Sequence, residues 1–450
     1  MKSKKTYGFF SPKTFLNPIQ KPYNDMKSYQ RFRNYFGEQA SEDDGAMPSQ
    51  PNGLRGSFWS GLLVGAILML ILTPVASGLS GLFGRLTVKD LGASEKITEI
   101  MRVLDSHSIS AYKEEDLVES MYRGLVSGIG DPYTTYFDKK ALADFMQATE
   151  GTYAGIGVVV TSDPDDHLVT VVTLYEGAPG MAAGLRPGDK FMKINGVDVS
   201  NASLDDVTSM TKGPVGTSVV ISVYRPEDKS TFDVSVVREK IDIPTVSSKI
   251  VGENIGYIRI TQFDRVTIDQ FTTAYSDINK KNVSGLIIDL RNNPGGLLDV
   301  VSQIADTLAP KGIIVYTEDK GGNKEYTYSD DESVKVPLAL IVNGNSASAS
   351  EVLSGAIKDL GVGVLVGEKT FGKGIVQNLF KLSDGSAIKV TVAKYYTPSG
   401  VCIHGEGIVP DYVVEMPEEL AINLSSLSES EDVQLQKAIE VLSENNPAIN

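Results

Sequence analysis

The spacing of apolar residues changes several times along the chain, and each change marks a different kind of segment. From Phe58 to Gly84 no charged residue occurs, and Leu62 to Leu72 is almost wholly apolar. A run of that length can cross a bilayer core of about 30 Å, which takes roughly 20 helical residues. Beyond it, apolar residues recur at helical spacing over 93–104 (Ile97, Ile100, Met101, Leu104) and 114–128 (Leu117, Met121, Leu125), and 141–148 reads as a third helix. Gly130-Asp131-Pro132 breaks the second. Near Gly151 the period shortens to that of strands: 155–160, 168–174, 190–194, 218–224 and 231–238, with a short helix at 180–183, an Asn195-Gly196 turn and a helix at 204–211. From Ile241 strands and helices alternate. Strands are expected at 255–260, 285–290, 313–317, 338–342 and 364–366, and helices at 268–281, 297–309 and 349–360. A hairpin over 375–382 and 386–394 follows, then an amphipathic helix over 429–443. Alternation of this kind predicts an α/β layered domain.

These patterns divide the chain into a flexible tail (1–57), an apolar anchor (58–84), a helical segment (87–150), a strand-rich domain (151–240), an α/β core (241–422) and a C-terminal helix (423–450). Packing and homodimer formation are the roles expected of the helical segment.

Charge refines this picture. The 450-residue chain carries net −15, yet residues 1–57 hold nine Lys/Arg against five Asp/Glu. Basic residues before an apolar span place the N-terminus in the cytoplasm. The expected location is therefore the cell membrane, single-pass, with the remainder extracytoplasmic. A cleaved signal peptide is the rival reading, since Val75-Ala76-Ser77 resembles a cleavage site, but the polar region ahead of it is too long for an ordinary leader. The acidic body excludes nucleic acid as a partner, because binding it requires neutralising phosphates. With one cysteine, Cys402, there is no internal disulfide or thiolate metal cluster. Three histidines, none in a His-x-x-x-His pattern, give no metalloprotease signature. No cofactor or metal is expected.

Three segments carry candidate chemistry. Asn343-Gly344-Asn345-Ser346-Ala347-Ser348-Ala349-Ser350-Glu351 follows a strand and opens a helix, where free N–H groups and the positive dipole end can face a developing oxyanion. Helix capping alone accounts for any of the three serines. In Phe371-Gly372-Lys373-Gly374, a lysine lies between glycines at the mouth of a strand; a lone lysine is ordinarily a solvated charge. As a base it must lose its proton near neutral pH, which burial promotes. Asp289-Leu290-Arg291-Asn292-Asn293-Pro294-Gly295-Gly296 is a buried strand ending in a turn that either reverses the chain or presents N–H groups. A Cys402/His404 pair is a further candidate, although adjacent same-face strand positions rarely form a dyad.

The order of elements over about 152–240, with Ala183-Gly184-Leu185-Arg186-Pro187-Gly188-Asp189, resembles a PDZ domain. That resemblance implies a site for a peptide's C-terminal carboxylate at Gly155, Ile156, Gly157 and Val158, beside a strand edge open to an extended peptide. Taken together, the three chemical segments resemble the C-terminal processing peptidases, or tail-specific proteases, over about 93–443. Gly130-Asp131-Pro132-Tyr133-Thr134 and Gly405-Glu406-Gly407-Ile408-Val409-Pro410-Asp411 belong to the same likeness. It implies Ser348 as nucleophile, Lys373 as general base and Gln377 as the residue orienting that lysine. It also implies an oxyanion hole from the N–H of Ala349 and one in the 292–296 turn, and a supporting acid at Asp359. Pro294 has no N–H, which moves the second donor to Gly295 or Gly296. Lys373 and Gln377 would lie roughly 13 Å apart on a straight strand, so a bend at Gly374 or converging side chains are required.

The fold class expected is therefore α/β: a mixed-sheet protease core with helices, an inserted PDZ domain (α+β, a partly open β-barrel), an N-terminal helical segment and one transmembrane helix. The function expected is a membrane-anchored serine endopeptidase acting on protein substrates with exposed C-terminal tails and gated by its PDZ domain. The alternative is a catalytically silent, membrane-anchored PDZ scaffold binding partner C-termini.

Overall fold

The computed structural model describes residues 92–421 and 424–444. Two compact units divide the described residues between Tyr122 and Arg123. The first contains α1 (Ala93–His107) and the start of α2 (Glu114–Ser127), both at the helical spacing expected.

The second unit takes in the rest of α2, followed by β1 (Thr135–Phe137) and α3 (Lys139–Glu150). Asp138 caps α3 by accepting the Ala141 N–H, and Gly151, at φ 70°, ends it in the left-handed conformation glycine favours. β2 (Thr152–Gly155) then pairs antiparallel with a strand some ninety residues on, β9 (Glu239–Asp242), and the two form a neck. Between them lie β3 (Val158–Ser162), β4 (Val169–Leu174), β5 (Lys190–Ile194), β6 (Val197–Asp198), α4 (Leu204–Thr211), β7 (Ser218–Arg225) and β8 (Ser230–Val237). Their sheet order is β3-β4-β5-β7-β8, with β6 on β5. This small domain has its own core of Ile156, Phe191, Ile194, Val207, Ile221 and Val223. Sequence reasoning reads 155–160 as one strand, but the structure breaks it at Ile156-Gly157. There the Ile156 carbonyl accepts the Gly180 N–H, the Gly157 carbonyl accepts the Tyr175 N–H, and Gly157 sits at φ 70°. Any Cβ on Gly157 would collide with Ala178.

The larger domain holds β10 (Val246–Val251), β11 (Ile255–Ile260), α5 (Thr267–Asn279), β12 (Gly285–Asp289), α6 (Leu298–Leu308), β13 (Gly312–Asp319), β14 (Lys324–Ser329), β15 (Leu338–Val342), α7 (Ala349–Asp359), β16 (Gly363–Gly367), β17 (Ile375–Lys381), β18 (Ala387–Tyr396), β19 (Tyr412–Val413) and α8 (Val433–Glu444). The central sheet runs β10-β11-β12-β15-β16-β19, parallel from β11 onward, with β10 antiparallel at the edge. Strand side chains alternate between faces. Leu286, Ile288, Leu338 and Leu340 pack with α5, α6 and α7, while Ile287, Ala339 and Ile341 meet Leu435, Ala438 and Leu442 of α8. Covering both faces explains why β12 and β15 are buried throughout and read as uninterrupted apolar runs. A second, antiparallel sheet, β1-β18-β13-β14 with β17 on β18, packs into the same core.

One element of the expected fold class is corrected. Among the described residues no helix is long and apolar enough to cross a membrane. The anchor expected at 58–84, like the tail at 1–57, lies outside the described residues.

Candidate active site

Parallel strands deliver their C-terminal ends to one edge of a sheet, and loops leaving such ends commonly carry chemistry. Here β12, β15 and β16 each lead into one of the three candidate segments. β12 runs into the 290–296 turn, β15 into the 343–348 loop, and β16 into the segment bearing Lys373.

Ser348 is the N-cap of α7 and is completely buried. Its backbone, at φ 56° and ψ −112°, lies where L-residues other than glycine are strained, a condition that functional sites sustain when the surroundings over-determine it. The two flanking serines are fasteners. Ser346 Oγ donates to the Leu290 carbonyl at 2.8 Å, and Ser350 Oγ donates to the Asn293 carbonyl at 3.0 Å. Asn293 completes the lock: its carbonyl also accepts the Ala347 N–H, and its Nδ2 donates to the Ile260 carbonyl. The turn after β12 is thereby pinned onto the 343–348 loop.

Gly295 lies where the sequence places an oxyanion donor. A Cβ there would come within 2.9 Å of Ser348 Cβ and 3.0 Å of the Ala349 nitrogen. Its own N–H, however, donates to Asn293 Oδ1 at 2.9 Å. Ala349, as the first helical residue, has an N–H with no partner one turn earlier in the helix.

Lys373 is buried just before β17. Gly372, at φ 87°, turns the chain into it, and Gly374 packs so closely on Ile403 and His404 that any Cβ would collide. Gln377 is buried in β17 directly after a bulge between Val376 and Gln377, which supplies a bend further along the chain than the one anticipated at Gly374.

The residue that joins these parts is Glu351, whose buried carboxylate accepts four bonds. Oε2 takes the backbone N–H of Ser348 and that of Lys373, each at 2.8 Å. Oε1 takes the Thr370 hydroxyl at 2.7 Å and the Gly372 N–H at 2.6 Å. Burial pushes this carboxyl above the ordinary range, against the pull of the four donors. Thr370 Oγ1 in turn accepts the Ile408 N–H at 2.7 Å, which ties the Gly405–Asp411 segment to the loop that bears Lys373. A second buried network supports the turn. Arg291 bonds Asp289 at the end of β12 and reaches Asp432 just before α8, while the Tyr257 hydroxyl donates to Asp289.

Asp359 is not brought to the site. Eleven residues along a helix is about 16 Å, and Asp359, exposed at the far end of α7, accepts the Ser399 N–H instead. Of the histidines, His107 ends α1, His167 sits at φ 62° in the turn before β4, and His404 is exposed with its backbone against Gly374. Cys402 pairs with Tyr396 through a backbone bridge.

Asp264 is a buried group the sequence did not single out. It follows Phe263, whose N–H donates to the Gly295 carbonyl and whose carbonyl accepts the Leu297 N–H, and its Cβ faces Gly151 at the neck. Burial pushes its carboxyl up to about 7, opposed by the Gln262 amide that donates to it. The folded state thus holds this proton more tightly than the unfolded chain, in which an Asp titrates near 3.9. Its contribution to stability is full below about pH 4 and is lost as pH rises towards 7. Asp264→Asn is expected to flatten that slope and to leave the variant more stable than wild type at pH 8 by roughly 2–4 kcal/mol. Urea unfolding at pH 5 and pH 8 checks this.

Residues 254–414 match peptidase family S41 and residues 170–225 match a PDZ domain. The chain belongs to that family and is a serine-type peptidase of the carboxyl-terminal processing kind. It is 35% identical over 323 residues to the carboxyl-terminal-processing protease of Synechocystis sp., covering 71% of this chain and 75% of that one. A probable CtpA-like serine protease of Staphylococcus aureus is 33% identical over 379 residues, covering 82% and 75% of the two chains. Among solved structures, the photosystem II D1 C-terminal processing protease is 30% identical, with a TM-score of 0.43 over 73% of this chain and 91% of that one.

Proposed function

We propose that this peptidase is an endopeptidase that cleaves protein substrates recognised by their C-terminal tails, with Ser348 as nucleophile and Lys373 as general base. The observation that carries this reading is the Glu351 carboxylate, one oxygen of which accepts the N–H of both residues. Two chain segments from different strand ends are thus held within two hydrogen-bond lengths of each other.

In the reaction, the Ser348 proton passes to Lys373 Nζ as Oγ bonds to the substrate carbonyl carbon. The oxyanion is met by the Ala349 N–H at the helix start and by a second N–H of the 295–296 turn. Gly295 can serve only after releasing Asn293 Oδ1. Lys373 then gives its proton to the departing amine as the peptide C–N bond breaks, leaving an ester on Ser348. Water, deprotonated by the same lysine, hydrolyses that ester and frees a new carboxyl terminus. Gln377 orients the lysine.

Tail recognition falls to the PDZ domain. β3 is an edge strand with α4 beside it, the arrangement that lets an extended peptide add a strand, and Gly155–Val158 lead into that edge. Ser348 is inaccessible even to water in this conformation, so a substrate requires the site to open. A domain joined through a two-stranded neck is suited to couple tail binding to that opening.

A peptide with an apolar, free C-terminus is expected to be cleaved, and its amidated twin cleaved at least tenfold more slowly, with no cleavage of either by Ser348→Ala. Equal rates for the two peptides would refute tail recognition. Tail binding with no hydrolysis under any condition would favour the silent scaffold.

A further inference from the structure

We infer that Tyr133 is a positioning residue for the general base: its ring carries the lysine ammonium during proton transfer and its main chain fixes the orienting glutamine. This inference rests on the reading of Lys373 as base.

Three contacts meet at this one residue, which lies in the segment before the PDZ domain, 240 positions from the lysine in sequence. Lys373 Nζ stands over the Tyr133 ring, 5.3 Å from its centroid. Gln377 Nε2 donates to the Tyr133 carbonyl at 2.6 Å, while the Oε1 of that amide is buried without a hydrogen-bond partner. The Tyr133 N–H donates to Asp131 Oδ1 at 3.0 Å, and Thr134 Oγ1 donates to Asp131 Oδ2 at 2.6 Å while accepting the Thr391 N–H of β18. The 131–134 strap is therefore fastened to the sheet that carries Gln377, which holds the Tyr133 main chain beside the lysine.

An aromatic face attracts an ammonium through its quadrupole, by more when water is excluded. Lys373 is cationic in the tetrahedral intermediate and neutral when it begins the attack. The ring therefore stabilises the state reached after proton transfer, at the cost of holding more of the resting enzyme protonated. Charged and titratable groups near the lysine are Glu351, bonded to its N–H, Asp131 in the strap, and His404 across Gly374. None of these is altered by a change at Tyr133.

The test is the pH profile of kcat/KM for a tail-bearing peptide. Tyr133→Leu, which keeps apolar cover but removes the quadrupole, is expected to move the acidic limb down by about half a unit to one unit. It should also lower the plateau several-fold, with KM little changed. Tyr133→Phe, which keeps the ring, should leave the limb in place. If Tyr133→Leu does not fold, fluorinated phenylalanines at position 133 keep the shape while draining the ring face, and the limb should fall with each added fluorine. A limb that stays put or rises in these variants overturns the inference. Lys373→Ala is assayed alongside: if it is inactive while the Tyr133 limb does not move, only this inference fails; if it is fully active, the base assignment itself fails.

Discussion

Lys373→Ala is expected to slow peptide hydrolysis by roughly 10²–10⁴-fold, the range associated with losing a general base, while unfolding remains cooperative. The side chain lies just before β17 beside the Tyr133 ring, and the bond that fixes its position to Glu351 is made by its backbone. Alanine therefore removes the amine and leaves the loop anchored. Peptide hydrolysis and thermal unfolding measured on one preparation check both parts. Activity within threefold of wild type would remove lysine from the mechanism.

Glu351→Ala is expected to do damage of a different kind. It strands three backbone N–H groups and one hydroxyl, all buried, without their acceptor. Each orphaned donor costs about 1–3 kcal/mol, so both stability and activity should fall, activity by at least 100-fold. Glu351→Gln retains one oxygen but turns an NH₂ towards two donors, so an intermediate loss is expected. Denaturant midpoints and cleavage rates on the pair distinguish a fastener from a passive helix cap. If Glu351→Ala cleaves peptide at a rate within threefold of wild type, the carboxylate does not organise the site.

The sequence carried much of this architecture because burial leaves a direct trace in residue pattern. β12 and β15 are apolar throughout since helices cover both faces, and the β17–β18 hairpin is announced by Ser383-Asp384-Gly385. The second sheet was only partly legible. β14 reads Lys-Glu-Tyr-Thr-Tyr-Ser, a polar edge strand with little apolar alternation, and β1 is three residues long.

The site divides in the same way. Ser348, Lys373 and Gln377 were singled out by motif, and the geometry brings the first two around one carboxylate. Glu351 had a readable local signal, since Ser348-x-x-Glu351 has capping-box spacing, but its bonds to a loop some twenty residues on have none. The Tyr133 carbonyl was invisible because every residue has one. Arg291 and Asp432 are 141 positions apart, and only the packing of α8 reveals their pairing. Asp359 misled because a helix carries residues of one motif out of reach within three turns.

The central claim is that Ser348 is acylated with Lys373 as its base, and covalent labelling addresses it most directly. The wild type and Lys373→Ala are incubated with a fluorophosphonate, with and without a tail-bearing peptide, and the adduct is mapped by mass spectrometry. A single adduct on Ser348 in the wild type, formed at least 100-fold more slowly in Lys373→Ala, is the expected result. An adduct on Ser346 or Ser350, or equal labelling rates in the two proteins, would contradict it.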